Sequence, residues 1–198
     1  MLLDGLASNE KHGLRLCVGL VGLFGLRPCE LGELTVDDGK LYVGQTKRNM
    51  QTLHKPKAPP RRVIAIDLPS LPNEGQRLIA QYDSGIVKFP LAISRAIQRA
   101  KEKDEYKEIG AALRQLLQRY WFWQSMEKRT QGLKVYSLRH GFAWRAHKES
   151  ENPLTVRDAS VFMGHDPQTH LKHYGRWVDE AGLEEAAEKF KKGQKVEA

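Results

Sequence analysis

β-Type patterning occupies one short stretch of this chain and helical spacing governs the rest, a restriction that settles fold class before any motif is read. Leu34-Thr35-Val36 and Leu41-Tyr42-Val43 alternate around Asp37-Asp38-Gly39. An Asp-Gly pair supplies the positive φ angles of a tight turn, so the two runs predict a hairpin. Val63, Ile64 and Ile66 predict a third strand, reached through a loop that includes the proline-rich run Pro56 to Pro60. Ahead of the hairpin, Lys11 to Leu23 read as a helix with Leu14, Val18 and Val21 on one face. Gly25 marks a turn, and Pro28 suits the first turn of a short helix from Cys29 to Leu34. Behind the hairpin, Pro72-Asn73-Glu74 starts one helix and Pro90 starts another that runs to about Lys101. A long third helix is predicted over Glu105 to Lys128, with Ile109, Leu113, Leu116, Leu117 and Tyr120 at helical spacing and Trp121-Phe122-Trp123 near its end as core. Ser137 predicts the N-cap of a helix through His147, and Asn152-Pro153 breaks it. Thr155 to Met163 and Pro167 to Tyr174 complete the helices, joined by Gly164-His165-Asp166. The order of elements predicts a mostly helical α+β fold, with a small three-stranded antiparallel sheet packed on a helical bundle.

With 198 residues, 40% of them hydrophobic, the chain can bury a core and is too apolar for disorder. Cys17 and Cys29 are its only cysteines and cannot form a disulfide framework. The longest apolar run, Leu16 to Leu26, spans 11 residues and is interrupted by Gly19, Gly22 and Gly25, short of the roughly 18 that a membrane span needs. A cytoplasmic protein without a membrane partner is expected. Against 24 acidic residues stand 32 lysines and arginines, a net charge of +8, so polyanions are the first partners to consider. No acidic residue lies between Asp38 and Asp67, a stretch holding Lys40, Lys47, Arg48, Lys55, Lys57, Arg61 and Arg62. Such a run is either a solvated loop or a surface that meets nucleic acid. A second basic region, Arg129 to Lys148, is interleaved with Tyr136, Phe142 and Trp144. Residues 179–198 alternate Glu with Lys and Ala and read as a separable solvated helix behind a main domain of residues 1–178.

No Gly-x4-Gly-Lys-Ser/Thr cradle for nucleotide phosphates occurs, and Gly22-x2-Gly25 lies inside an apolar run rather than after a strand. His165-x4-His170-x2-His173 has some metal-ligand character, but no carboxylate or cysteine joins it at standard spacing, so no metal is assigned. A discontinuous set is more informative. Gly25-Leu26-Arg27-Pro28-Cys29-Glu30-Leu31 places an arginine at a turn with a carboxylate three residues on. Tyr136-Ser137-Leu138-Arg139-His140 places a second arginine at a helix start. Met163-Gly164-His165 is followed, nine residues after the histidine, by Tyr174 in Leu171-Lys172-His173-Tyr174. Singly these read as a local ion pair, a surface arginine, a loop cap and an amphipathic edge.

Together, in this order, they resemble the catalytic domain of the tyrosine recombinase (phage integrase) family, over Lys11 to Trp177. That resemblance implies that Arg27 and Arg139 clamp the non-bridging oxygens of a scissile DNA phosphate, a task suited to the planar, permanently charged guanidinium. It implies that Tyr174 attacks phosphorus to give a 3′-phosphotyrosyl link and a free 5′-hydroxyl, and that His165 donates a hydrogen bond to the phosphate. Lys47 would protonate the leaving 5′-oxygen, and Glu30 would orient Arg27. Arg48, Lys55, Lys57, Arg61 and Arg62 would meet the DNA backbone. The family has histidine where this chain has Tyr136, which can hydrogen-bond a phosphate oxygen but cannot act as a base near neutral pH. His140 matches a frequent family residue and reads as helix packing. The implied partner is double-stranded DNA bound by a tetramer on paired sites, with no cofactor, in the nucleoid. Glu180 to Lys192 would dock on a neighbouring protomer or fold back on its own domain. The family's N-terminal DNA-clamping domain has no counterpart in residues 1–10, so a fragment or a short member with weak, salt-sensitive DNA affinity is expected. The alternatives are a catalytically impaired DNA-binding module and a strand-relaxing enzyme of the type IB topoisomerase kind.

Overall fold

A computed structural model describes residues 2–46, 56–149 and 152–175. The chain divides into two compact units, Met1–Phe142 and Ala143–Ala198. The described residues are mostly helical, with one three-stranded antiparallel sheet of order β1-β2-β3. No helix among them is long and apolar enough to cross a membrane.

The first unit is built around α2 (His12–Leu23), the predicted amphipathic helix, whose buried residues run almost continuously from Leu14 to Leu23. At about 1.5–3 kcal/mol for each large apolar side chain removed from water, this helix anchors the unit. It packs against α1 (Leu2–Ser8), a helix that sequence reasoning did not predict, and against α3 (Glu74–Asp83). The hairpin forms as expected from β1 (Leu34–Asp37) and β2 (Lys40–Val43), paired Leu34 to Val43 and Val36 to Leu41. Asp38 and Gly39 both take positive φ, 46° and 66°, at its turn. The third strand falls earlier than predicted. β3 is Arg61–Arg62, opposite Val43 and Tyr42. Val63 still donates to the Leu41 carbonyl, but Ile66 donates to Leu23 at the end of α2, so the β-branched residues leave the sheet.

The predicted short helix is a 3-10 turn, Pro28–Gly32, and α4 (Leu91–Lys103) and α5 (Lys107–Gln118) pack on it. The predicted long helix is two: α5 ends at Gln118 and α6 (Trp121–Arg129) starts anew. Between them Tyr120 takes an extended conformation, φ −96° and ψ 116°, with its ring buried. The aromatic triplet therefore opens a helix instead of closing one, and only Trp123 is fully buried; Trp121 is 61% exposed. α7 (Ser137–Trp144) stops short of His147 and gives way to a π turn, Arg145–Glu149. Ser137 lies inside this helix, its hydroxyl accepting from the Lys134 amide. In the second unit α8 (Val156–Met163) and α9 (Pro167–Tyr174) form where predicted and pack on each other, capped by the side chains of Thr155 and Asp166.

Candidate functional site

Two clusters of polar side chains, one in each unit, gather some of the residues singled out by the sequence. In the first unit the chain turns at Gly25, whose φ of +63° favours glycine and whose missing side chain leaves room for the Phe142 ring, 2.6 Å from where a Cβ would stand. That turn delivers Arg27 to the start of the 3-10 turn and Glu30 to its middle. Glu30 is buried and takes cations on both oxygens. Arg27 donates from its amide to Oε2 at 2.7 Å and from Nη1 to Oε1 at 2.8 Å. Arg61 Nη2 donates to Oε2 at 2.9 Å. Arg139 Nη1 lies 4.0 Å from Oε2 and donates to the Gly25 carbonyl. Three arginines from three distant parts of the chain thus surround one carboxylate. Burial alone would raise the Glu30 pKa, but Arg61 and Arg27, with Arg139 behind them, hold it below the usual carboxylate range. Burial likewise works against the charge on Arg27, and Glu30 outweighs it, leaving the guanidinium more firmly protonated than usual.

Arg27 keeps about a quarter of its side chain exposed, whereas Arg139 is 1% exposed. Tyr136 is 42% exposed, with its ring edge-on to His140 at 5.3 Å, and lies close enough to Arg27 to act on its charge.

The loop cations meet partners that a local reading of charge does not reveal. Arg61 is committed to Glu30, Lys57 pairs with Asp104 at 2.8 Å, and Lys40 pairs with Asp38 at 2.7 Å. Lys57 also donates to the Tyr106 hydroxyl, which in turn donates to Glu33. Arg62 is exposed on β3. Lys47, Arg48 and Lys55 lie outside the described residues, as do Glu180 to Lys192.

The second unit holds His165 in the α8–α9 connection and Tyr174 at the last turn of α9. Their rings stack with centroids 6.0 Å apart and 28° between planes. Tyr174 is 3% exposed. His170, fully buried, stands beside both, with its ring 5.0 Å from that of His165 and 4.9 Å from that of Tyr174. His170 Nδ1 is 2.8 Å from His165 Nε2, and its Nε2 is 2.7 Å from Nε2 of His147 in the π turn. Sequence reasoning met His170 only as a metal candidate and missed His147. The available signal was spacing: His170 stands four residues before Tyr174 and so shares its helix face. Among the described residues no group of three or more histidines, cysteines and carboxylates is arranged to hold a metal ion.

Chemically, the first cluster offers fixed guanidinium donors to an oxyanion, and the second offers a phenol among imidazoles. Compared with known proteins, the chain matches no family model, no curated protein and no solved structure.

Proposed function

We propose that this chain is the catalytic domain of a site-specific DNA recombinase, cutting and rejoining strands through a phosphotyrosyl bond on Tyr174. The observation that supports this reading best is the arginine cluster. Arg27 and Arg139, chosen from separate motifs, meet at one turn through Gly25 and Glu30, although Gly25 and Arg139 are 114 residues apart in sequence. A scissile phosphate gains negative charge on its non-bridging oxygens as the nucleophile arrives, and fixed guanidinium forks stabilise that charge without reorganising. In the forward step the Tyr174 oxygen bonds phosphorus as the bond to the 5′-oxygen breaks. The phenolic proton passes to a base, and the leaving oxygen gains a proton from an acid, the role the family resemblance implies for Lys47. The new phosphodiester retains the energy of the old one, so rejoining needs no nucleotide. DNA is the partner and a tetramer on paired sites the working assembly.

Incubation with a nicked duplex, from which the cleaved fragment escapes, tests the reading. Wild type is expected to accumulate a covalent protein–DNA adduct and Tyr174→Phe none. Arg27→Ala, at a partly exposed position, should slow adduct formation by roughly a hundredfold, about 3 kcal/mol of transition-state stabilisation. If no adduct forms on the cognate site with wild type, the enzyme reading fails. Tyr136 favours a second reading, a DNA-binding module that has lost catalysis, because the position supplies no imidazole. Under that reading wild type and Tyr174→Phe bind DNA equally and neither becomes linked to it.

A further inference from the structure

At the end of α2 away from the Gly25 turn, α2 and α3 meet over a second buried carboxylate. Glu74, in the first turn of α3, is 1% exposed. Arg15 of α2 brings Nη1 to 2.5 Å from its Oε1, and Arg77, one turn along α3, brings Nη2 to 2.7 Å from its Oε2. The arrangement repeats that of Glu30: one carboxylate deep in the fold draws together guanidinium groups that would otherwise repel. Two cations facing one anion leave a positive charge over. Their N–H groups are not used up either. Neither oxygen of Glu74 receives a hydrogen bond of good geometry. Among the described residues, the one directed bond from either guanidinium runs from Arg15 Nε to the Leu3 carbonyl at 3.2 Å.

Both arginines border a cavity of about 220 Å³, lined by Ala7, His12, Arg15, Glu74, Arg77 and Gln81. Ala7 is the one apolar residue of that lining, so the cavity suits a polar occupant. His12, exposed at the start of α2, and Gln81, half-buried one turn beyond Arg77, can supply further donors. A volume below the roughly 300–1,000 Å³ that houses a drug-sized ligand admits one anionic group and a few attached atoms. Guanidinium forks from two different helices suit a tetrahedral oxyanion, whose oxygens point in several directions, better than a planar carboxylate. We propose that this cavity binds a phosphate group through Arg15 and Arg77, with His12 and Gln81 beside it and Glu74 positioning the two forks. The same chemistry serves a small phosphate monoester or a phosphate of a nucleic-acid backbone. The 12 residues of α2, about 18 Å of helix, separate this cavity from the Gly25 turn, so it is distinct from the Arg27 cluster. It rests on the charges of α2 and α3, not on the recombinase reading.

The test is titration of the full chain with inorganic phosphate, ionic strength held constant with chloride, read by nitrogen–proton NMR of the arginine Nε–H groups. The Arg15 and Arg77 signals should move together and saturate with a Kd of about 1 mM, a weak affinity because Glu74 offsets one of the two charges. Arg77→Gln, at a side chain 58% exposed, leaves Arg15 on Glu74 and should weaken the Arg15 response about tenfold. Arg77→Lys, which keeps the charge without the fork, should recover part of it. A short DNA duplex forms the second arm. If the backbone is the source, the duplex moves both signals and Arg77→Gln lowers the salt slope of DNA binding by about 0.9. If the source is a small phosphate, inorganic phosphate moves them and the duplex does not. Signals that stay put in both arms, or an Arg15 response equal in wild type and Arg77→Gln, overturn the proposal. Adduct formation on the nicked duplex reports separately on the recombinase reading, which none of these residues carries.

Discussion

Glu30 carries a carboxylate that is buried and ionised, and the two conditions coexist only because arginines meet it. Its pKa lies below the ordinary 4.5, so the unfolded chain binds the proton more tightly than the folded one. The stability it contributes is complete above about 4.5 and is lost as pH falls through the lowered folded value. Glu30→Gln should therefore cost about 3 kcal/mol at neutral pH, by leaving buried guanidinium groups uncompensated, and should flatten the acid limb of a stability–pH curve measured by urea denaturation. A mutant curve parallel to wild type would refute this account. At this scale the motifs singled out Arg27, Glu30, Arg139, His165 and Tyr174 as candidates, because their spacing is local. The pairing of Arg61 with Glu30 and of His147 with His170 was hidden, since these partners lie 31 and 23 residues away and only the fold sets those distances.

The hairpin, α2, α8 and α9 were legible as elements because each combines periodicity with a turn or capping residue. The break between α5 and α6 was not, as both helices are amphipathic and no glycine or proline separates them. The burial of Tyr120 in extended conformation divides them, a tertiary effect without a local signal. The third strand was displaced for a related reason. Val63, Ile64 and Ile66 have strand chemistry, yet the pairing belongs to Arg61–Arg62 and the chain then turns toward α2. The Gly25 turn is the junction most sensitive to substitution. Gly25→Ala combines a left-handed backbone, about 1–2 kcal/mol, with a clash against Phe142, another 1–3 kcal/mol. A loss of roughly 2–5 kcal/mol is expected in thermal or chemical denaturation, and a loss below 1 kcal/mol would show that the turn relaxes freely.

For the molecule as a whole, the run of seven cations between Asp38 and Asp67 overstates what is offered to a polyanion, because Arg61, Lys57 and Lys40 within it have internal acidic partners. On the proposal that the chain binds DNA, the salt dependence of that binding would distinguish the two kinds of cation. Arg62→Gln, at an exposed position on β3, should reduce the slope of log affinity against log salt by about 0.9, the release of one counterion. Arg61→Gln should lower the melting temperature instead and leave that slope nearly unchanged; the reverse pattern would place Arg61 on the DNA. Both oxygens of Glu30 being occupied has one more consequence, for entropy. A free arginine surrenders about 2 kcal/mol of rotamer freedom when it grips an anion. Arg27 and Arg61 give up theirs as the chain folds, so under the proposed function an arriving phosphate would meet donors already still, and the cost of holding them would fall on the stability of the protein rather than on each binding event.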